Sequence, residues 1–240
     1  MIIGEIKEII RYPVKSFYGE KVNRTSVQSY GLYGDRSHAF LDETRPGKFL
    51  TLTQMPAMTR YRAMFVGEET MERFPELKIC SPSGNIYYWG DGRLLDELES
   101  FTNKQLTPIQ YTPNYVPLGA IEEEHLLLTT DASLEKLEEL WGEQVDNLRF
   151  RPNILISLYD KSPFIEEEWF GKRVLLGDVE IEMKRHCERC TIINIDPENG
   201  ITDLSLLKTV YQKRNNHFGV YASVIKTGEI NVGDKITLID

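Results

Sequence analysis

Apolar residues recur along this chain at short, interrupted spacings, which points to many small strands rather than long helices. Residues 2–12 carry Ile2, Ile6 and Ile10, a spacing open to strand or helix. The isoleucines, Gly4 and Pro13 just beyond favour a strand. Gly31, Gly34 and Gly47 punctuate the next stretch into short strands and turns. Lys78-Ile79-Cys80 and Ile86-Tyr87-Tyr88-Trp89 flank Ser-Pro-Ser-Gly-Asn, the pattern of a hairpin. After residue 141 the chain becomes strand-rich again. Asn153–Leu158, Val174–Met183, Thr191–Ile195, Val220–Ile225 and Lys235–Ile239 read as strands. Gly177-Asp178, Thr227-Gly228 and Gly233-Asp234 are turn signals between them.

Three segments instead have helical spacing. Residues 93–101 align Leu94, Leu95, Leu98 and Phe101. Residues 131–141 align Leu134, Leu137, Leu140 and Trp141, with Thr130 or Asp131 able to cap. Residues 203–211 align Leu204, Leu207 and Tyr211 behind Thr202 or Asp203. Core packing accounts for all three stripes. Pro108, Pro113 and Pro117 cluster between the first two helices and mark a linker, dividing residues 1–115 from 116–240. The expected fold class is mostly β with a few helices (α+β), its many short strands closing into a barrel that hides their edges.

Composition excludes several classes. A chain of 240 residues can bury a core without disulfide staples. Its formal charge of −9 disfavours nucleic acid, whose binders are usually basic, although a few converging Arg and Lys can still hold a small anion. The three cysteines are Cys80, Cys187 and Cys190, an odd count that argues against a secreted disulfide framework. The first residues carry charges where a signal peptide needs an apolar run, and nothing approaches the ~18 apolar residues of a membrane span. We therefore expect a cytoplasmic protein free of the membrane.

The densest chemistry is Arg185-His186-Cys187-Glu188-Arg189-Cys190. Positive neighbours favour thiolate over thiol, and the thiolate is both nucleophile and metal ligand. Glu188 opposes that effect. Cys-x-x-Cys has other readings. A structural zinc site needs a second ligand pair, and Cys80, His38, His125, His186 and His217 offer no tidy one. A thioredoxin-like site needs the motif to open a helix, and here it lies between strand-like segments. Two inert buried cysteines are the plainest alternative.

Cys187-Glu188-Arg189-Cys190 followed by Ile195-Asp196-Pro197-Glu198-Asn199-Gly200 resembles the signature of the MOSC family, which includes molybdenum cofactor sulfurase C-terminal domains and the mitochondrial amidoxime-reducing components. Three further segments agree in order: Tyr12-Pro13-Val14-Lys15-Ser16, Phe150-Arg151-Pro152-Asn153-Ile154, and Phe218-Gly219-Val220-Tyr221 with Ile230-Asn231-Val232-Gly233-Asp234. The resemblance implies a MOSC N-terminal β-barrel-like domain over 1–115 and a MOSC β-barrel domain over 116–240. It implies a molybdenum cofactor, a molybdopterin-type pterin, with Cys190 as metal ligand and catalytic centre. Lys15, Ser16, Arg36, Arg151, Arg189 and Tyr221 match cofactor-binding positions, and an Arg fork suits the pterin's phosphate. Cys187 matches a less constant position and is given a supporting role. Thr129, Thr130 and Ser133 lie at a helix start that favours anions, though capping is the plainer role of Thr130. Asp196 is expected to hold the loop after Cys190. The chain departs from the family pattern at Ile193-Asn194 and at Phe17, neither a proposed metal ligand.

The function so implied is reduction of N-hydroxylated compounds (amidoximes, hydroxylamines and N-hydroxylated bases), the cofactor carrying the redox step. Electrons would come from a separate donor of flavodoxin, ferredoxin or cytochrome type, since no flavin, haem or iron–sulfur motif, fused iron–sulfur domain or membrane anchor is expected. The family also carries an association with pyridoxal phosphate, to which we assign no residue. Two alternatives stay open: a non-enzymatic carrier of the cofactor or of sulfur, and a thiol redox or zinc protein using Cys187 and Cys190.

Overall fold

In the computed structural model, which describes residues 1–239, seven strands close into a barrel. Round the barrel they run Ile154–Leu158, Leu126–Thr130, His217–Lys226, Val179–Glu188, Arg173–Leu176, Lys235–Ile239 and Ile2–Arg11. The N-terminal strand closes it by pairing antiparallel with Ile154–Leu158 on one side and Lys235–Ile239 on the other. Closure leaves no exposed edge, and the inward positions, among them Ile6, Leu128, Ile156, Ile181 and Val220, form the main core. Gly4 is required where that seam is tightest: a Cβ there would sit 2.3 Å from the Ser157 carbonyl oxygen.

The only parallel pair in this barrel joins Leu126–Thr130 to Ile154–Leu158, so a crossover is needed, and the helix Asp131–Trp141 supplies it. Thr130 caps that helix by accepting from Ser133 N at 3.2 Å, and Gly142 ends it in the left-handed conformation. A second lobe packs against the barrel around Phe17, Phe40, Tyr61, Ile79, Leu94 and Leu98. It contains the expected hairpin, Glu76–Cys80 with Ile86–Tyr88, and the helix Gly92–Thr102. Chain segments from the two halves interleave, since Gly228–Asn231 pairs with Arg24–Gln28.

Several local expectations are corrected. Pro108 lies in the strand Leu106–Gln110, opposite Phe40, rather than in an open linker; a two-stranded sheet tolerates its missing N–H. Residues 191–194 form a 3-10 helix rather than a strand, because Asn194 is held from both ends of the following segment: its carbonyl accepts Asp203 N and its side chain accepts Leu207 N. Phe101, Leu204 and Tyr211 are 65%, 69% and 70% exposed, so they do not pack as their stripes implied. The last helix, Ser205–Arg214, instead buries Leu206 and Val210. Its run of leucines permits two stripes, and the neighbours Leu137 and Ile193 select one.

Candidate functional site

Strand Val179–Glu188 carries Cys187 into the protein, where it is buried, and the chain then turns out so that Cys190 is exposed. Cys190 has an extended backbone and opens the 3-10 helix Thr191–Asn194. The residue before it is clamped in both directions: Arg189 N donates to Asn216 O at 2.8 Å, and Asn216 Nδ2 donates to Arg189 O at 2.9 Å. After it, Asp196 accepts from Glu198 N and Asn199 N and pairs with Arg149 at 3.0 Å, so the Asp196–Gly200 turn is held as expected.

Arg189, 8% exposed, donates to Cys187 Sγ at 2.7 Å and to the Phe150 carbonyl at 2.9 Å. Its thiol partner is thus Cys187, not Cys190. Tyr221 also packs on Cys187. Burial, and then the adjacent Cys187 sulfur, hold the Tyr221 hydroxyl protonated far above the ordinary phenol range.

A basic wall stands opposite. Arg36 and Arg151 place their guanidiniums 4.3 and 4.1 Å from the centre of the buried Tyr12 ring. Arg36 is paired with Asp35, which is fully buried and also accepts from Tyr12 N at 2.8 Å and Asn153 Nδ2 at 3.1 Å. Among the described residues Arg151 has no carboxylate partner; one nitrogen donates to the Phe17 carbonyl and Nη2 is buried without a partner. Burial, with Arg36 adding repulsion, pushes Arg151 down to about 10, so it remains a cation at neutral pH. Ser16, Arg36 and Arg151 all have positive φ (72°, 50° and 56°). Left-handed backbone at non-glycine residues costs roughly 1–3 kcal/mol each and gathers where surrounding contacts enforce it, often at functional sites.

These walls enclose a cavity of about 150 Å³. It brings together Arg36, Arg151, Arg189, Cys190 and Tyr221 of the residues singled out by sequence, along with Cys187. Ser16 does not line it, and Lys15 reaches it only through Glu122: Lys15 Nζ donates to the Ala120 carbonyl at 2.8 Å and to Glu122 Oε1 at 3.0 Å. Thr130 and Ser133 are engaged elsewhere, both donating to the buried Glu166. Sequence reasoning missed Glu122, Glu123 and Glu124, which line the cavity, because a run of acids followed by His125 reads as a solvated surface. It also missed Asp35, whose only local signal was its place beside Arg36. No group of three or more His, Cys, Asp and Glu is arranged to hold a metal among the described residues, so the second pair a zinc site needs is not assembled around Cys187 and Cys190. No helix among them is long and apolar enough to cross a membrane.

Residues 109–237 match the MOSC domain family and residues 3–76 match the MOSC N-terminal beta barrel domain. The chain is similar to two proteins of Homo sapiens that align along nearly all of it. Mitochondrial amidoxime reducing component 2 is 25% identical over 98% of this chain and 83% of its own length. Mitochondrial amidoxime-reducing component 1 is 32% identical over 99% and 83%. Human molybdenum cofactor sulfurase is 23% identical over 90% of this chain but only 29% of its own length. Among solved structures, the YUAD protein from Bacillus subtilis superposes with a TM-score of 0.51 over 99% of this chain and 96% of that one; at 10% identity this bears on fold alone. The family matches, the near-full-length relatives and the shared barrel lead to one conclusion: this chain belongs to the MOSC domain family.

Proposed function

We propose that this chain binds a molybdopterin-type molybdenum cofactor through Cys190 and reduces N-hydroxylated compounds such as amidoximes, hydroxylamines and N-hydroxylated bases. One observation carries the reading. An exposed thiol, Cys190, shares a cavity with two buried guanidiniums whose nitrogens, Arg151 Nη2 and Arg189 Nε, have no partner. Buried donors left unpaired are costly, and a phosphate-bearing ligand would satisfy them. A thiolate suits a soft metal centre. The donor set therefore fits the group, and the relatives named as amidoxime-reducing components support the same substrate class.

When bound, the cofactor supplies the two-electron redox chemistry. The chain's own residues do the rest. Cys190 would be the protein's metal ligand, on a segment fixed by the Arg189–Asn216 clamp. Arg151 and Arg36 would grip the phosphate, with Asp35 and Tyr12 holding Arg36 in place. Arg189 would use Nε toward the pterin while its other nitrogens hold Cys187 and the Phe150 carbonyl. Tyr221 can donate a hydrogen bond without losing its proton. Electrons would come from a separate flavodoxin-, ferredoxin- or cytochrome-type donor. Three free cysteines fit a reducing, cytoplasmic setting.

The test is metal content. Protein made in a host that synthesises the cofactor should hold near-stoichiometric molybdenum by mass spectrometry, and Cys190→Ser should lose it. Loaded protein should then reduce benzamidoxime with a chemical reductant. Wild type without molybdenum refutes the cofactor, and molybdenum without turnover refutes the enzyme in favour of a cofactor carrier.

A further inference from the structure

The cavity is small, and two of the cations around it, Arg36 and Lys15, already have carboxylate partners. Ligand sites usually span about 300–1,000 Å³, against about 150 Å³ here. A phosphate that is to reach Lys15 must move the part of the wall already paired with it. Most of the wall cannot move: Cys187 and Tyr221 lie on paired barrel strands, and Arg36 and Arg151 are stacked on Tyr12. Of the lining outside strands and helices, Arg151 is stacked on Tyr12 and Arg189 is clamped by Asn216, which leaves the acidic stretch Glu122–Glu124. The residues on either side of it are anchored. Ala120 and Ile121 bury against Tyr30 and Val116, and His125 accepts from Val224 N at 3.0 Å just before strand Leu126–Thr130.

Ion pairs to two cations hold these three residues at the cavity. Glu122 takes the Lys15 ammonium, and Glu123 takes Arg185 at 2.7 Å, with Glu124 3.7 Å from the same guanidinium. Lys15 is 8% exposed, and burial pulls its affinity for a proton below the ordinary lysine range while Glu122 opposes that pull. Moving Glu122 away would strand a buried cation, a costly state unless another anion arrives.

We infer that Glu122 is a built-in counter-ion that occupies Lys15 and, with Glu123 latched to Arg185, covers the cavity until a phosphate-bearing ligand takes Lys15 over. The inference rests on the reading above that this cavity receives the phosphate of the cofactor. Lys15 then becomes a phosphate contact only by exchange, and ligand binding releases the Glu122–Glu124 segment. Coupling of this kind is reciprocal: whatever the carboxylate loses when the anion binds, the anion loses while the carboxylate stays.

The probe is inorganic phosphate, titrated calorimetrically into cofactor-free protein. Glu122→Gln keeps size and shape but removes the competing charge, and it should tighten phosphate binding by about 5- to 10-fold, at the low end of usual coupling strengths. The gain should vanish in a Lys15→Met background. Hydrogen exchange of peptides spanning residues 118–126 should quicken on phosphate addition in wild type and already be fast in Glu122→Gln. Equal or weaker binding by Glu122→Gln overturns the proposal, as does a gain that persists without Lys15, or no phosphate binding by either protein. Should Lys15→Met not fold, the wild-type exchange decides: protection at 118–126 unchanged by phosphate overturns it. Molybdenum content is a separate readout, so loss of the cofactor reading and loss of this exchange are told apart.

Discussion

Asp35 offers the sharpest test of how the basic wall is held. Its carboxylate is wholly buried, pairs with Arg36, and accepts from Tyr12 N and Asn153 Nδ2. Asp35→Ala strips the Arg36 guanidinium of its carboxylate and the Tyr12 N–H of its acceptor, while Arg36 keeps only the Arg151 carbonyl and Asn153 Nδ2 keeps the Ile10 carbonyl. Breaking a buried ion pair from one side costs about 3–5 kcal/mol, because the remaining charge has nowhere to go. At roughly 2–4 °C per kcal/mol for a chain of this size, the melting temperature should fall by about 6–20 °C. Asp35→Asn keeps an acceptor for Tyr12 N and should cost less, about 1.5–3 kcal/mol, the worth of a charge-assisted hydrogen bond. Urea and thermal unfolding of the three proteins measure this directly. A loss below about 1 kcal/mol in Asp35→Ala would show that Arg36 finds another partner and is not fixed by Asp35, and the account of a rigid basic wall would fail.

The remaining predictions concern packing and pH. Leu206→Ala should lose about 2–5 kcal/mol, whereas Leu204→Ala and Tyr211→Ala, both exposed, should stay within about 0.5 kcal/mol of wild type by urea denaturation; equal losses would mean that the helix Ser205–Arg214 is rotated from the orientation described. Glu166 is buried, and burial raises its pKa despite the hydroxyls of Ser133 and Thr130 that donate to it. The folded state therefore binds the proton more tightly than the unfolded one, and that stabilisation is complete below the ordinary glutamate pKa and lost as pH rises through the folded value. Glu166→Gln should flatten this part of the stability–pH curve, and an unchanged acid-to-neutral slope would contradict the assignment.

Periodicity and turn chemistry already determined much of this protein. Most of the barrel strands, the three longer helices and the hairpin at 78–89 follow from residues close together in the chain, because spacing of apolar side chains and Gly or Asp at turns act locally; the barrel strand Leu126–Thr130 and the strand Leu106–Gln110 were not legible in this way. The motif around Cys190 and the arginines at 36, 151 and 189 were legible as residue types in a recognisable order. Their partners were not. Lys15 meets Glu122 across 107 residues, Asn153 meets Asp35 across 118, and the first strand closes the barrel on a segment some 150 positions away. Local pattern carries no information about such pairings, which the packing of the whole chain selects. The same holds for the face that Ser205–Arg214 buries and for the turn of residues 191–194 into a 3-10 helix: each local sequence allowed two outcomes, and long-range neighbours chose between them. Sequence alone thus determined which residue types are available near Cys190, and only the tertiary structure decided which of them share a cavity, which are paired, which are left with an open hydrogen bond, and that Glu122–Glu124 line the same cavity.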